Sequence, residues 1–323
     1  MKDRISWTDV GLVFLALATV LVVALALRPT AVPSEAATAE QSPTRTASAP
    51  TTSAEPSDDA TDATADDDEE PEARAAQPLT RFITAVDATT VWVAESNGCG
   101  SGGQVAVSAD GASTWTAHDS PDSVLRIRLT NAEGAGFVVG GSADCEPRLW
   151  YTYDAGENWT DPQWQNNAWS RHPDDASQVL RPGGEPITPC EDSPVLDLDA
   201  FSGGHAAVLC EGGALLITQD WGGSWQAVMN DPNLYALAMT APAQGIAAGV
   251  SDSCDGVAVQ PFNVADDADL SCAEGALARG GEVAVTAAES AIWMAAGPDI
   301  WQAPSIGADF ERAGDWPEEL ATP

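Results

Sequence analysis

Lysine is almost missing from this 323-residue chain: Lys2 stands alone against 49 aspartates and glutamates, and the formal net charge is −36. Nucleic acids and anionic lipid surfaces recruit basic patches, so this balance argues against both as partners. A high-salt habitat or a GC-rich genome accounts for the bias equally well. Histidine is scarce as well, and His118, His172 and His205 sit in unrelated settings that read as turn or surface positions. Serine-hydrolase, zinc-protease and phosphate-loop signatures are absent, which removes the usual sequence basis for those chemistries. No cysteine pair has the close spacing of a zinc knuckle. No catalytic residue, metal ligand or cofactor is therefore assigned.

Large apolar residues are missing from about Pro29 to Gln77, a stretch of Ala, Thr, Ser, Pro, Glu and Asp ending in Asp66-Asp-Asp-Glu-Glu70. Such a composition buries too little apolar surface to offset its ordering entropy and predicts a disordered acidic stalk over 28–78. Before it, residues 1–9 carry Lys2 and Arg4 and precede an uncharged apolar run, Val10–Leu27, of 18 residues. That is about the minimum for a membrane-spanning helix, so 10–27 is expected to be a signal-anchor with 1–9 cytoplasmic. Ala24-Leu25-Ala26 also makes a small-residue cleavage site, the alternative being secretion after signal removal. On either reading residues 79–323 lie outside the cytoplasm.

All six cysteines, Cys99, Cys145, Cys190, Cys210, Cys254 and Cys272, fall in that exported part, where an even number reads as a disulfide set. Fifteen pairings are possible for six cysteines. Order of sequence is expected, Cys99–Cys145, Cys190–Cys210 and Cys254–Cys272, because Cys99 and Cys145 each follow a second strand and adjacent repeats could present them side by side.

The exported part is built on one repeated phrase. Ser108-Ala-Asp110-Gly-Ala-Ser-Thr-Trp115, Thr152-Tyr-Asp154-Ala-Gly156-Glu-Asn-Trp159 and Thr218-Gln-Asp220-Trp-Gly222-Gly-Ser-Trp225 share one spacing, and Ala303-Pro-Ser305-Ile-Gly307-Ala-Asp-Phe310 is a worn fourth copy. They start at residues 108, 152, 218 and 303, so 44, 66 and 85 residues apart. Short apolar runs bounded by Gly, Asp and Asn surround each copy, as in Val91-Trp-Val-Ala94 before Val105-Ala-Val107, and no long helical period interrupts them. Four antiparallel strands per unit is a propeller blade. Five units are clear, and Gln178-Val-Leu180 suggests a reduced sixth. Six blades are expected, with five or seven still open. The Asp carboxylate can accept backbone N–H groups of its own turn, glycine supplies positive φ, and the closing aromatic can pin the hairpin to its sheet. Replacing Asp110, Asp154 or Asp220 should loosen a hairpin rather than abolish chemistry.

The phrase resembles the Asp-box, or bacterial neuraminidase repeat, S/T-x-D-x-G-x-T-W. The second and third copies fit its Asp, Gly and aromatic positions; the first has Gly111 one place early and the fourth has Ser305 for the Asp. Families sharing the repeat include sialidases, sortilin-type receptors and the photosystem II assembly and stability factor propellers. The pattern of strand, Trp-Val-Ala, strand and box looks most like the last group and its exported bacterial relatives. The resemblance covers most of 79–323 and implies a propeller with boxes at the blade periphery, away from the ligand face.

For activity, the resemblance to sialidases would require three arginines gripping a carboxylate and a Tyr–Glu pair. The opening Arg-Ile-Pro is missing, and Arg126-Ile-Arg128 alternates within a strand, so its arginines are expected to share a solvent face. Tyr151, Tyr153 and Tyr235 are the available tyrosines, two of them beside a box turn. Asp197 with Asp199, and Asp266 with Asp267, are weak general acid–base pairs, and Asp266-Asp267-Ala-Asp269 lacks a recognised calcium spacing. Trp164 and Trp169, in an insert outside the repeat, are the candidate binding residues, since loops on rigid scaffolds carry binding groups. The expectation is a membrane-tethered, extracytoplasmic, non-catalytic binding or assembly-factor-like module for an envelope protein complex or cell-wall polymer. A sialidase-like exo-glycosidase is the alternative.

Overall fold

The computed structural model describes residues 78–320 apart from Asn97, 163–167 and 265–269. The expected membrane segment 10–27, the stalk up to residue 77, Trp164 and the acidic run at Asp266, Asp267 and Asp269 lie outside the described residues. No described helix is long and apolar enough to cross a membrane. The described chain is all-β, ending in a 3-10 turn at Glu318–Leu320.

Five blades of antiparallel strands follow one another in chain order. Blade one comprises β1 (Arg81–Ala85), β2 (Val91–Glu95), β3 (Ser101–Ser108) and the first half of β4 (Thr116–Leu129). The second half of β4 is the inner strand of blade two, beside β5 (Gly136–Gly141) and β6 (Pro147–Thr152). There the fourth place is held by Thr160, whose N–H donates to the Tyr151 carbonyl at 2.9 Å. Blade three is β10–β13 (Val195–Ser202, His205–Cys210, Ala214–Thr218, Gln226–Asn230). Blade four is β14–β17 (Leu234–Ala241, Gln244–Ser251, Cys254–Phe262, Ser271–Glu274) and blade five β18–β21 (Ala284–Ala287, Ile292–Ala296, Asp299–Ala303, Glu311–Asp315).

The sixth blade does not form as a blade. Its residues make a small sheet of β7 (Ser170–Arg171), β8 (Val179–Leu180) and β9 (Pro186–Ile187), two residues per strand, between blades two and three. Strands this short cannot supply the wedge of side chains that a blade buries. β4 runs unbroken through His118-Asp-Ser-Pro-Asp122 from blade one into blade two. Its ladder to β3 skips Pro121 and Gly102, so the missing proline N–H costs no bond.

Strand segments such as Val91-Trp92-Val93-Ala94 and Ala206–Cys210 are buried at every position, not alternately. Val91 and Val93 pack toward blade five and Trp92 and Ala94 toward blade two, so a strand covered on both faces reads as a continuous apolar run. Separate apolar clusters fill the gaps between blades one and two, three and four, four and five, and five and one. The last closes the ring: Ala85, Val91 and Val93 pack with Ala284, Trp293 and Trp316, and Thr80 N–H donates to Gly281 O at 2.9 Å. Closure is by side-chain packing, with no strand shared between first and last blades.

Three disulfides pair the cysteines in order of sequence: Cys99–Cys145, Cys190–Cys210 and Cys254–Cys272. The first joins the loops after β2 and β5 and so staples blade one to blade two.

Candidate functional site: a groove between the second and third blades

The three full copies of the phrase fold into superimposable turns. Ser108, Thr152 and Thr218 each donate a hydroxyl to the Asp two residues on, at 2.8–2.9 Å, and accept the N–H four residues on at 3.0 Å. Each Asp then accepts the N–H and the side chain of Thr114, Asn158 or Ser224. Those donors hold the carboxylates down: Asp110 to about 2, mainly through the Thr114 hydroxyl, with Asp154 and Asp220 lowered likewise by the Asn158 and Ser224 side chains.

Two successive residues take positive φ in each turn: Gly111 and Ala112 (76° and 67°), Ala155 and Gly156 (60° and 92°), Trp221 and Gly222 (62° and 83°). The early glycine of the first copy therefore still serves the turn. The fourth copy has Gly307 at φ 84°, and with Ala303 in the hydroxyl position its Gly307 N–H is capped instead by Ser271 Oγ from β17, at 2.8 Å.

The closing tryptophans Trp159 and Trp225 pack against clusters that include their own blades, and the closing side chains also reach across to a neighbour. Trp115 Nε1 donates to Asp315 O of blade five and Trp159 Nε1 to Asp119 O of blade one. Trp225 meets Trp169 edge-to-face at 6.0 Å.

At the ring axis the inner strands converge on a space of about 40 Å³, too small for a ligand, lined by Ile83, Arg126, Asp197, Asp199 and Leu237 among others. Arg126 and Arg128 both border this space; Arg126 is buried rather than facing solvent, while the Arg128 side chain stays 34% exposed. Arg126 is 8% exposed and donates to Trp169 O (2.9 Å), Asp199 Oδ1 (3.0 Å) and Ala200 O (3.2 Å). Arg128 stands 3.5 Å from the same Asp199 oxygen. Asp199 Oδ2 accepts Met239 N–H and Asp197 Oδ2 accepts Leu237 N–H, tying blade three to blade four. Arg171 donates to Leu196 O and to Leu79 O. Burial pushes Asp197 up to about 6 despite these N–H donors and Arg171. Asp197 and Asp199 are thus bonded to backbone and arginine across blades, an arrangement that joins strands rather than presenting an acid–base pair to a substrate.

Among the described residues no apolar cluster fills the gap between blades two and three. The small sheet packs on blade three through Trp169, Val179 and Cys190. A groove of about 340 Å³ results, walled by Phe137, Leu149 and Tyr151 on blade two and by Ala200, Phe201, Ser202 and Gly203 on blade three. Arg126 and Arg128 are the charged groups of this lining. Phe137 and Tyr151 meet edge-to-face at 6.1 Å. Arg128 and Thr130 also border a second cleft of about 580 Å³ that runs past Asp87 and Glu289.

Trp221 adjoins the groove. Its indole lies on the Gly203–Gly204 hairpin: a Cβ on Gly203 would stand 2.5 Å from the ring, and one on Gly204 3.2 Å from Nε1. The ring is 56% exposed, and its backbone N–H donates to Gly204 O.

Of the two tryptophans singled out from sequence, Trp169 is not a surface residue. It is 1% exposed, donates Nε1 to Gly203 O at 2.8 Å and accepts Arg126 at its carbonyl. It stands just before β7, packs with Val179 and blade three, and lines the groove. Phe201 and Trp221, the exposed aromatics beside the groove, carried one available signal: Trp221 occupies a turn position held by Gly111 and Ala155 in the sister copies. His172 Nδ1 accepts the N–H groups of Asp174 and Asp175, and His205 Nδ1 bonds Ser202 Oγ at 2.8 Å, both in turns. Among the described residues one group has metal-like spacing, Cys99, Cys145 and Asp174, but its sulfurs are joined to each other.

No protein-family model and no curated protein matches the chain. Among solved structures it is similar to YCF48 from Cyanidioschyzon merolae, at 13% identity and TM-score 0.30, with 78% of this chain and 88% of that one covered. YCF48 bound to D1 peptide aligns at 16% identity and TM-score 0.27, covering 74% and 68%. PorZ, an essential bacterial surface component of the type-IX secretion system of Porphyromonas gingivalis, aligns at 14% identity and TM-score 0.35, covering 75% of this chain and 39% of PorZ. At these scores the likenesses carry no argument about activity, and the propeller assignment rests on the strand pairing itself.

Proposed function

We propose that this chain is an Asp-box propeller that acts as a non-catalytic binding or assembly-factor-like module outside the cytoplasm. It is tethered by a signal-anchor at 10–27 and held off the membrane by the stalk at 28–78, and its partner is an envelope protein complex or cell-wall polymer. The observation that carries the binding reading is the groove between blades two and three: four neighbouring blade interfaces are filled by apolar clusters, and this one holds open space with aromatic walls. That groove is a concave surface whose described lining carries aromatic side chains from two blades.

The test is crosslinking and pull-down from intact cells with the full-length chain, comparing wild type with Phe201→Ala plus Trp221→Ala. Partner recovery should fall in the double variant, and equal recovery would remove the groove from the reading. One observation favours the sialidase-like alternative, that Tyr151 shares the groove with Arg126 and Arg128. Against it, Arg126 is already bonded to Asp199 and two carbonyls, and no carboxylate is among the groove's described lining. Hydrolysis of a fluorogenic sialoside, abolished by Tyr151→Phe, would support that alternative instead.

A further inference from the structure

We infer that the groove and the Trp221 ring together form a stacking surface for a neutral polysaccharide chain. This deepens the binding reading above and rests on it.

Trp221 is costly where it stands. Its backbone has φ 62°, a region that disfavours bulky side chains, and the equivalent places hold Gly111 and Ala155. Two bare glycines beneath it let the indole lie flat against the hairpin, leaving the opposite ring face to solvent. A rigid, flat, half-open aromatic loses little freedom when something stacks on it. Phe201, 44% exposed, lies on the same hairpin and turns the aromatic surface into the groove.

The groove's polar lining suits the same ligand. Tyr151 brings a hydroxyl, Thr130 and Ser202 can still accept at hydroxyls that bond Ala135 O and His205 Nδ1, and Arg128 offers donors at the edge. A pyranose ring presents an apolar C–H face to an aromatic and hydroxyls around its rim, so alternating aromatic and hydroxyl groups match it. The continuation past Thr130 into the second cleft gives a chain, rather than a single sugar, room to run.

Charge selects neutral polymers. Arg126 is buried and bonded to Asp199 and two carbonyls, Arg128 shares the same carboxylate, and a chain of net −36 repels polyanions at long range. A protein partner fits less well. Stable protein interfaces bury roughly 800 Å² per side around a contiguous apolar core. The large exposed apolar side chains among the described residues are Tyr153, Phe201, Trp221, Val264 and Leu277, of which Phe201 and Trp221 meet at this hairpin.

The test is affinity electrophoresis of the purified full-length chain in native gels cast with glycol chitin, hydroxyethyl cellulose or laminarin, against polymer-free gels. At least one polymer should retard the wild type. Trp221→Ala and Phe201→Ala should each weaken that binding at least about tenfold, the loss expected for a central aromatic contact. Ala155 already occupies the equivalent turn position at φ 60°, so Trp221→Ala should fold, and an unchanged melting curve checks this. No retardation in any gel, or retardation untouched by both variants, overturns the inference. If crosslinking captures an envelope protein through Phe201 and Trp221 while every gel is silent, the glycan assignment fails and the binding module stands. Silence in both assays removes both.

Discussion

Arg126 is the side chain whose loss the ring should feel most sharply. It replaces the apolar filling found at the other blade interfaces with three hydrogen bonds, to Trp169 O, Asp199 Oδ1 and Ala200 O. It thereby links blade two to the small sheet and to blade three. Arg126→Met keeps much of the alkyl volume but strands two carbonyls and weakens the hold on a mostly buried carboxylate. A buried polar group left without its partner costs about 1–3 kcal/mol, and breaking a buried ion pair about 3–5 kcal/mol. Because Arg128 and two N–H groups still serve Asp199, the lower part of that range applies, about 3–4 kcal/mol in all. Arg126→Lys restores a charge but cannot span three acceptors, so about 2 kcal/mol is expected. Urea unfolding followed by fluorescence and far-ultraviolet dichroism reads these values, with coincident transitions required. In a double-mutant cycle Asp199→Leu should couple to Arg126→Met by at least about 1.5 kcal/mol. A loss below about 1 kcal/mol for Arg126→Met would refute the view that this interface is held by polar bonds.

Three further outcomes follow from particular contacts. The folded pKa of Asp110 lies near 2 against an ordinary 3.8, so the turn's contribution is complete above about pH 4 and is lost as pH falls toward 2. Asp110→Ala should remove that acid sensitivity and speed hydrogen exchange at Ala112 and Thr114, measured residue by residue; unchanged exchange would discount the turn's bonding. Asp197 has the opposite sign: its folded pKa of about 6 exceeds the ordinary 3.8, so its contribution is present at low pH and lost as pH rises through about 6. Relative to Asp197→Asn, the wild type should lose on the order of 2 kcal/mol between pH 4 and 7, and a flat difference would contradict the burial argument. Ser271→Ala should lower the melting temperature through the fourth turn, and Ala303→Ser should restore part of the loss.

The sequence exposed what repeats and hid what is shared between repeats. Asp110, Asp154 and Asp220 could be placed in turns because each turn bonds within eight residues of itself. Trp115 and Trp159 were legible as closing residues but not as bridges to the neighbouring blade, since their acceptors at Asp315 and Asp119 are backbone carbonyls that any residue offers. Ser271 was invisible for the same reason: it substitutes for a hydroxyl missing 32 positions later, between strands that only the fold brings together. The first turn's glycine looked misplaced because the phrase marks one flexible position, whereas the backbone uses two.

Arg126 and Arg128 show the limit most plainly. Alternation within a strand identifies a common face, but which face meets solvent depends on the neighbouring blade, and both arginines border the space at the axis. Trp169 and Trp221 are the reciprocal case. The insert marks Trp169 as a binding candidate, yet it is buried between the small sheet and blade three, while Trp221 sits inside a repeat and reads as turn. Comparing the copies position by position separates them: a side chain that the turn geometry disfavours and the sister turns omit is not there for the turn. That reasoning leads from Trp221 to the bare Gly203–Gly204 hairpin beneath it, and from the hairpin into the groove between blades two and three.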